Sequence, residues 1–352
     1  MFRLGGAAFS VFGFDRRPHF KKNFAFTSLG VTRDAALFQR AISVLKAIFK
    51  LSALNRSASE SDVIIARNLE MLFIAFLIMR SSGNRGSKLI YECLDLHRIL
   101  LGGSFIGNLL RIIEKRLLKN VKTVIISSEA FSDKYFSAVH HYNGDVLLVE
   151  NKILNSVSTN DRNEARNCKD LRIGYFGMLR CRKSLKNLQT IADRSMKLSE
   201  IVMAGIPSPA IFPRFHEEIL SFDKISYFGP YTSKEIGELY RRVDFSWCID
   251  FFEEGLNSKL LLPNRLYESL AFGVIPIAIA GTETARWLEK RKLGKVFSNT
   301  EQIETYFSNV DLEEVTSLKR DIALVSESIY SFSVSDCRRL VRDIHSLKYD
   351  FR

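Results

Sequence analysis

EGLNSKLLLPNRLYESLAFGVIPIAIAG, Glu254 to Gly281, is the stretch whose reading decides the fold. Pro263 suits the first turn of a helix, where its missing N–H costs nothing. Leu266, Leu270 and Ala271 then fall on one face, with Arg265 and Glu268 elsewhere. Gly273 ends the helix, and Val274 to Ile279 runs directly into a buried strand. The helix start presents backbone N–H groups and a partial positive charge, a seat for phosphate. Asn257, Ser258 and Lys259 in the preceding loop add donors.

The same rhythm extends in both directions. Short β-branched runs alternate with amphipathic stretches, which predicts parallel sheets covered on both faces. Before residue 155, strands are expected at Ala8–Phe14, Val63–Ala66, Lys88–Glu92, Thr123–Ser127 and Val146–Glu150. Helices are expected at Asp34–Leu54, Leu69–Arg80, Ile106–Leu118 and Ser128–Val139. After residue 170, the strands are Leu171–Phe176, Glu200–Ala204, Ile225–Phe228, Phe245–Ile249 and Ile275–Ile279. Their helices are Ser184–Lys197, Lys234–Arg241, Asn264–Phe272 and Ser335–Lys348. NSVSTNDRNEARNCKD, Asn155 to Asp170, is polar, lacks apolar periodicity and reads as a linker. The division is therefore residues 1–154, a linker at 155–170, a second domain at 171–333, and a last helix at 334–352 that returns to the first domain. MFRLGGAAFSVFGFDR at the start reads as the end of a helix, a Gly–Gly turn and a second strand, as though the first β-α unit of that domain were missing.

Composition bounds the chemistry. The 352 residues carry a net charge of +12. The first sixty residues hold ten Lys or Arg against Asp15, Asp34 and Glu60. That concentration points to an anionic partner, whether nucleic acid, acidic lipid or a phosphorylated substrate. No nucleic-acid reading module or interleaved aromatic signature accompanies it, so nucleic acid ranks last. The helix at 34–54 places Leu37, Phe38, Ala41, Leu45, Ile48 and Phe49 on one stripe, suited to packing on the sheet or to lying on anionic lipid. Five scattered cysteines form no CxxC pair and imply a reducing compartment. The longest apolar run, Met71 to Met79, is far short of the ~20 residues that cross a bilayer. Six histidines without H-x3-H or H-E-x-x-H spacing, and no D-x-D after a strand, predict no metal site and no cofactor.

Three segments carry candidate chemistry. PNRLYESLAFG (Pro263 to Gly273) resembles the P-x-[KR]-x-x-E-x-x-x-x-G segment of GT-B glycosyltransferases, in particular family 4-like enzymes of bacterial exopolysaccharide and lipopolysaccharide synthesis. The resemblance implies that Glu268 accepts the ribose hydroxyls of a nucleotide-sugar, with Asn264 and Arg265 beside it. The family's E-x7-E pair would need an acid at 260, where this chain has Leu260. IGYFGMLRCRKSLKNL (Ile173 to Leu188) is a strand ending in Gly177 and followed by Arg180, Arg182 and Lys183, suited to clamping a diphosphate leaving group. It looks like the family's G-R-L-x-x-x-K segment, with Lys183 in the lysine position and Met178 in place of the arginine, a loss that Arg180 is placed to make good.

LIYECLDLHRILLG (Leu89 to Gly102) puts Asp95 and His97 just past a strand, where the family sets a residue that touches the transferred sugar or serves the acceptor. Asp95 as a helix N-cap is the competing reading. Arg67, Asn68 and Ser128 also follow strands, at positions the resemblance assigns to the cleft. Together these imply the GT-B architecture: two Rossmann-like domains with parallel sheets facing across a cleft. The implied activity is transfer of a hexosyl group from a nucleoside-diphosphate-sugar to a glycan or polyprenyl-diphosphate-linked acceptor, without metal, on the anionic cytoplasmic face of the plasma membrane. A non-catalytic, membrane-associated binding protein on the same scaffold is the alternative.

Overall fold

The computed structural model describes residues 1–15, 24–31, 43–44, 46–47, 58–82, 87–154 and 170–347. Two compact units result, one of Met1–Val149 with Val334–Arg352 and one of Glu150–Ser333. Most of the helix expected at 34–54 and nearly all of the linker lie outside the described residues.

In the first unit, β1 (Val11–Asp15) and β2 (Phe26–Val31) form a parallel pair. The strand expected second in the domain thus pairs with a strand the sequence reading missed, FTSLGV, whose single glycine and mixed polarity hide it. A four-stranded parallel sheet in the order β3-β4-β5-β6 comprises Val63–Arg67, Lys88–Cys93, Thr123–Ile126 and Asp145–Leu148. Around it lie α1 (Asn68–Ser82), α2 (Arg98–Leu101), α3 (Phe105–Leu118) and the single turn α4 (Glu129–Phe131). The helix expected at Ser128–Val139 is this turn followed by a π-helix at Ser132–Ser137. The wider winding accompanies the burial of both Tyr135 and Phe136, consecutive aromatics that a regular α-helix would turn about 100° apart.

A buried carboxylate organises this region. Glu114 of α3 is fully buried and accepts hydrogen bonds from Tyr91 Oη at 2.8 Å and from Tyr135 Oη. His140 Nε2 lies 3.0 Å from the same carboxylate. One buried carboxyl group therefore ties β4, α3 and the π-helix together, and its partners are what make its burial tolerable.

The second unit is a six-stranded parallel sheet in the order β12-β11-β10-β7-β8-β9. Its elements run β7 (Leu171–Leu179), α5 (Arg182–Arg194), β8 (Leu198–Pro207), α6 (Phe215–Leu220), β9 (Ile225–Tyr227), α7 (Ile236–Tyr240), β10 (Phe245–Trp247), α8 (Asn264–Ala271), β11 (Ile275–Ile279), α9 (Glu283–Arg291), β12 (Lys295–Phe297), α10 (Thr300–Asn309) and α11 (Leu312–Ala323). β7 is central, its chain successors run outward on one side, and β10 to β12 run outward on the other. The strand order therefore reverses between β7 and β10, the switch point where such sheets bind ligands beyond their carboxyl ends. Both faces are covered: Ile173, Ile201, Phe245 and Ile275 are buried on one, and Val202, Ala204, Ser246 and Ala278 on the other.

The division falls at Glu150, earlier than the polar stretch suggests. Trp287 Nε1 donates to Glu150 Oε1 at 2.8 Å, and Asn151 Nδ2 donates to the Leu262 carbonyl at 3.0 Å. Ile153 forms a parallel bridge with Ser331. These bonds fasten residues 150–154 to the second unit. The last helix, α12 (Val334–Ser346), belongs to the first unit: Leu340 and Ile344 are buried with Ile90 and Ile125, and Lys88 Nζ donates to the His345 carbonyl.

Pro263 stands one position before α8, as its N-cap with ψ 149°, and Asn264 is the first helical residue. Gly273, with φ +74°, ends the helix in the left-handed conformation that favours glycine.

Candidate functional site

The carboxyl edge of the second sheet gathers most of the expected donor-binding residues. Gly177 in β7 and Gly205 in β8 are register partners with φ of +116° and +138°. A Cβ on Gly205 would sit 1.7 Å from the Gly177 carbonyl oxygen, so the two backbones approach as only glycine permits. Beyond this edge, Lys183 Nζ donates to Glu254 Oε1 and Oε2 at 2.7 and 2.8 Å and lies 4.5 Å from the Phe251 ring centroid. The Arg180 guanidinium lies 4.5 Å from the centroid of Phe252. Arg182 turns away: it pairs with Glu218 at 2.7 Å and stacks on Phe212. Of the three basic residues, Arg180 and Lys183 thus face one loop, Phe251 to Glu254, which follows β10.

Glu268 and Arg265 occupy the switch point. Arg265 donates to the Phe176 carbonyl and the Ile249 carbonyl, each at 3.3 Å, joining the ends of β7 and the chain just past β10. Its guanidinium also lies 5.1 Å from the Tyr175 ring centroid. Expected beside the ribose, Arg265 is here a strut between two strand ends. Glu268 Oε2 accepts from the Tyr240 hydroxyl at 3.0 Å, and Tyr240 stacks on Phe272 with ring centroids 5.3 Å apart. Burial pushes the Glu268 carboxyl above its ordinary value, against the pull of the Tyr240 hydrogen bond and the Arg265 charge.

The loop before α8 is more internally committed than its sequence suggests. Asn257 and Ser258 are buried in a 3-10 turn, and Ser258 Oγ accepts from the Glu253 N–H at 2.9 Å. Lys259 and Asn264 are exposed. The sequence reading missed Tyr240, Phe251 and Phe252. Each is a common residue in an ordinary pattern, and only tertiary contact identifies it.

In the first unit, Arg67 ends β3, and Asn68, Asp95, His97 and Ser128 follow the carboxyl ends of β3, β4 and β5, adjacent parallel strands. Arg67 Nε donates to Glu92 Oε2 at 2.6 Å across the β3–β4 register. Asn68 has φ +70°, a conformation asparagine tolerates better than most residues. Ser128 is fully buried, while Asp95 and His97 are exposed. His97, not Asp95, caps α2: its Nδ1 accepts from the Ile99 N–H at 3.3 Å. An imidazole accepting at Nδ1 carries its neutral-state proton on Nε2, so in this arrangement it is a donor there and not a base.

No family model matches the chain. The chain is 37% identical over 328 residues to the succinoglycan biosynthesis protein ExoL of Rhizobium meliloti (strain 1021), covering 91% of this chain and 81% of that protein. The chain belongs to that family, the ExoL-type succinoglycan biosynthesis proteins. Solved structures share the architecture. Sucrose-phosphate synthase from Thermosynechococcus elongatus superposes with a TM-score of 0.71 at 12% identity, covering 97% of this chain and 92% of that one. Anabaena HepE in complex with UDP-glucose gives 0.64 at 14% identity, covering 95% and 98%. These likenesses show the expected GT-B class of fold, and each unit carries a parallel sheet as that class requires.

Proposed function

We propose that the chain is a glycosyltransferase that binds its nucleoside-diphosphate-sugar at the β7–β10 switch point. Arg180 and Lys183 clamp the diphosphate there, and Glu268 accepts hydrogen bonds from the ribose. The observation that carries this reading is the position of Glu268, held by Tyr240 next to the Arg265 strut at the one place in the sheet where strand order reverses. As the bond from the anomeric carbon to the phosphate oxygen breaks, negative charge grows on the departing diphosphate, and the two cations stabilise it without a metal ion. Asn257, Ser258, Lys259, Asn264 and Gly177 complete the donor side.

The acceptor is a glycan or a polyprenyl-diphosphate-linked sugar in cell-surface polysaccharide synthesis, served by the first unit. Asp95 takes the proton of the attacking hydroxyl, with His97 positioned by its contact to α2, and Arg67, Asn68 and Ser128 shape the same edge. The protein works in the cytoplasm, peripherally on the inner face of the plasma membrane. Among the described residues no helix is long and apolar enough to cross a membrane. The thiols of Cys93, Cys181, Cys248 and Cys337 are free and buried, as suits a reducing compartment.

The test is a panel of labelled nucleotide-sugars offered with lipid-linked acceptors, with and without a chelator. Glu268→Ala and Lys183→Ala are expected to lose nucleotide binding, and Asp95→Asn to lose transfer while keeping nucleotide affinity. Unchanged nucleotide affinity in both donor-side variants would sink the donor-site assignment. Loss of transfer on chelation would sink metal independence.

A further inference from the structure

The helix α3 shows an outward face that neither the donor site nor the acceptor edge uses. Phe105 is 83% exposed, Leu109 48% and Ile112 49%. At 100° per residue these three lie within a narrow sector. Arg116 and Lys119 continue it into the last turn and just past it, with Lys115 on its flank, all three exposed. The apolar half spans about 10 Å of helix axis. Isolated exposed apolar side chains are ordinary, but three on successive turns of one helix are a patch.

Charge identifies what covers it. The only acidic residue of α3 is Glu114, which is fully buried and held by Tyr91, Tyr135 and His140. The outward face therefore carries cations and no anion. A second copy of the chain is a poor occupant: antiparallel α3 helices would set cations on apolar side chains, and parallel ones would set cations on cations. A bilayer with anionic headgroups takes both halves, the apolar turns entering the acyl boundary and the basic turns remaining among phosphates. Basic residues in a last helical turn also favour the helix dipole, but that accounts for nothing at Phe105, Leu109 and Ile112.

We infer that the Phe105–Lys119 face of α3 docks the protein on an anionic phospholipid surface. This rests on the proposal that the protein works at a membrane, and it moves the contact from the basic helix expected at 34–54 to a different element. Val44 and Ala47 of that earlier candidate join a buried cluster with Leu29, Ile74 and Ile78.

The full-length protein is sedimented with phosphatidylcholine vesicles with and without phosphatidylglycerol, and UDP affinity is measured on the same samples. The wild type is expected to bind only the anionic vesicles, less so as salt rises. Lys115→Gln, Arg116→Gln and Lys119→Gln together should weaken binding about a hundredfold, from about fivefold per charge. Phe105→Ser, Leu109→Ser and Ile112→Ser together should weaken it at least about tenfold, with UDP affinity unchanged in both variants. Wild-type vesicle binding by either variant would overturn the inference. So would equal binding to neutral vesicles, or apolar substitutions that turn a dimer into a monomer in sedimentation velocity and leave vesicle binding intact. Vesicle binding that follows α3 in a protein unable to bind UDP would support this surface and sink the donor-site reading instead.

Discussion

Both carboxylate oxygens of Glu254 accept from the ammonium of Lys183, at 2.7 and 2.8 Å, where the proposed donor places its diphosphate. The pair is about half exposed on both sides, at 48% and 54%, so it is a weak holding contact rather than a structural one. Diphosphate carries more negative charge than a carboxylate and should displace it. Lys183→Ala is expected to lower UDP affinity about tenfold or more, since a charge-assisted contact is lost. Glu254→Gln should raise it by up to about fivefold, the worth of an exposed pair. Isothermal titration with UDP checks both, and weaker UDP binding by Glu254→Gln would end the competition argument.

Glu268 gives a pH dependence of definite sign. Burial raises its folded-state pKa above the ordinary 4.5, so the folded protein keeps that proton to higher pH than the unfolded chain does. Its contribution to stability is therefore fully present below the unfolded value and is lost as pH rises through the raised one. Ribose binding has the opposite dependence, because only the ionised carboxylate accepts both hydroxyl hydrogens. UDP affinity should fall as pH drops, beginning above 4.5, and Glu268→Gln should bind weakly with that dependence gone. Titrations of UDP across the acid range would show it, and an unchanged profile in the variant would exclude Glu268.

The parts legible in the sequence were those with local causes. The α8–β11 segment declared itself because a proline, an amphipathic turn, Gly273 and an apolar run follow in order. Arg180 and Lys183 were readable as basic residues after a strand, although β7 runs on to Leu179 and does not end in Gly177. The missing parts depend on distance in sequence. Tyr240 matters only because it meets Glu268, and Arg265 is a strut only because the carbonyls of Phe176 and Ile249 converge on it. The capping of α2 went to His97 and not Asp95, since two adjacent candidates look alike until the helix start is fixed. The α9 to α11 helices went unread although Leu312, Val315, Leu318 and Ile322 of α11 recur at helical spacing.

The second unit contains a buried ion pair whose removal should be costly. Lys319 Nζ lies 2.6 Å from Asp244 Oδ1, with side chains 8% and 2% exposed, and Asp244 Oδ2 accepts from the Arg172 N–H at 3.0 Å. The pair joins α11 to the amino edge of the sheet, the edge opposite the loop that holds Glu254. Lys319→Met strands the carboxylate and should destabilise this unit by about 3–5 kcal/mol. Urea unfolding followed by tryptophan fluorescence reports on it, since Trp247 and Trp287 both lie in this unit. A loss below about 1 kcal/mol would mean that water reaches Asp244 and replaces the lysine.

Gly205 and Gly177 separate two kinds of glycine requirement on adjacent strands. Both have positive φ, so alanine at either is strained by about 1–3 kcal/mol. At Gly177 that is the whole cost, because a Cβ there meets nothing within 4 Å. At Gly205 the Cβ would also lie 1.7 Å from the Gly177 carbonyl oxygen, a backbone atom that cannot swing aside as a side chain would. Gly205→Ala must therefore push β8 from β7 at the edge that leads to Arg180 and Lys183. It should cost more stability than Gly177→Ala and also weaken UDP binding. Equal unfolding midpoints and equal UDP affinities for the two variants would show that this edge yields, and that the close approach of the two glycines is not what shapes the donor site.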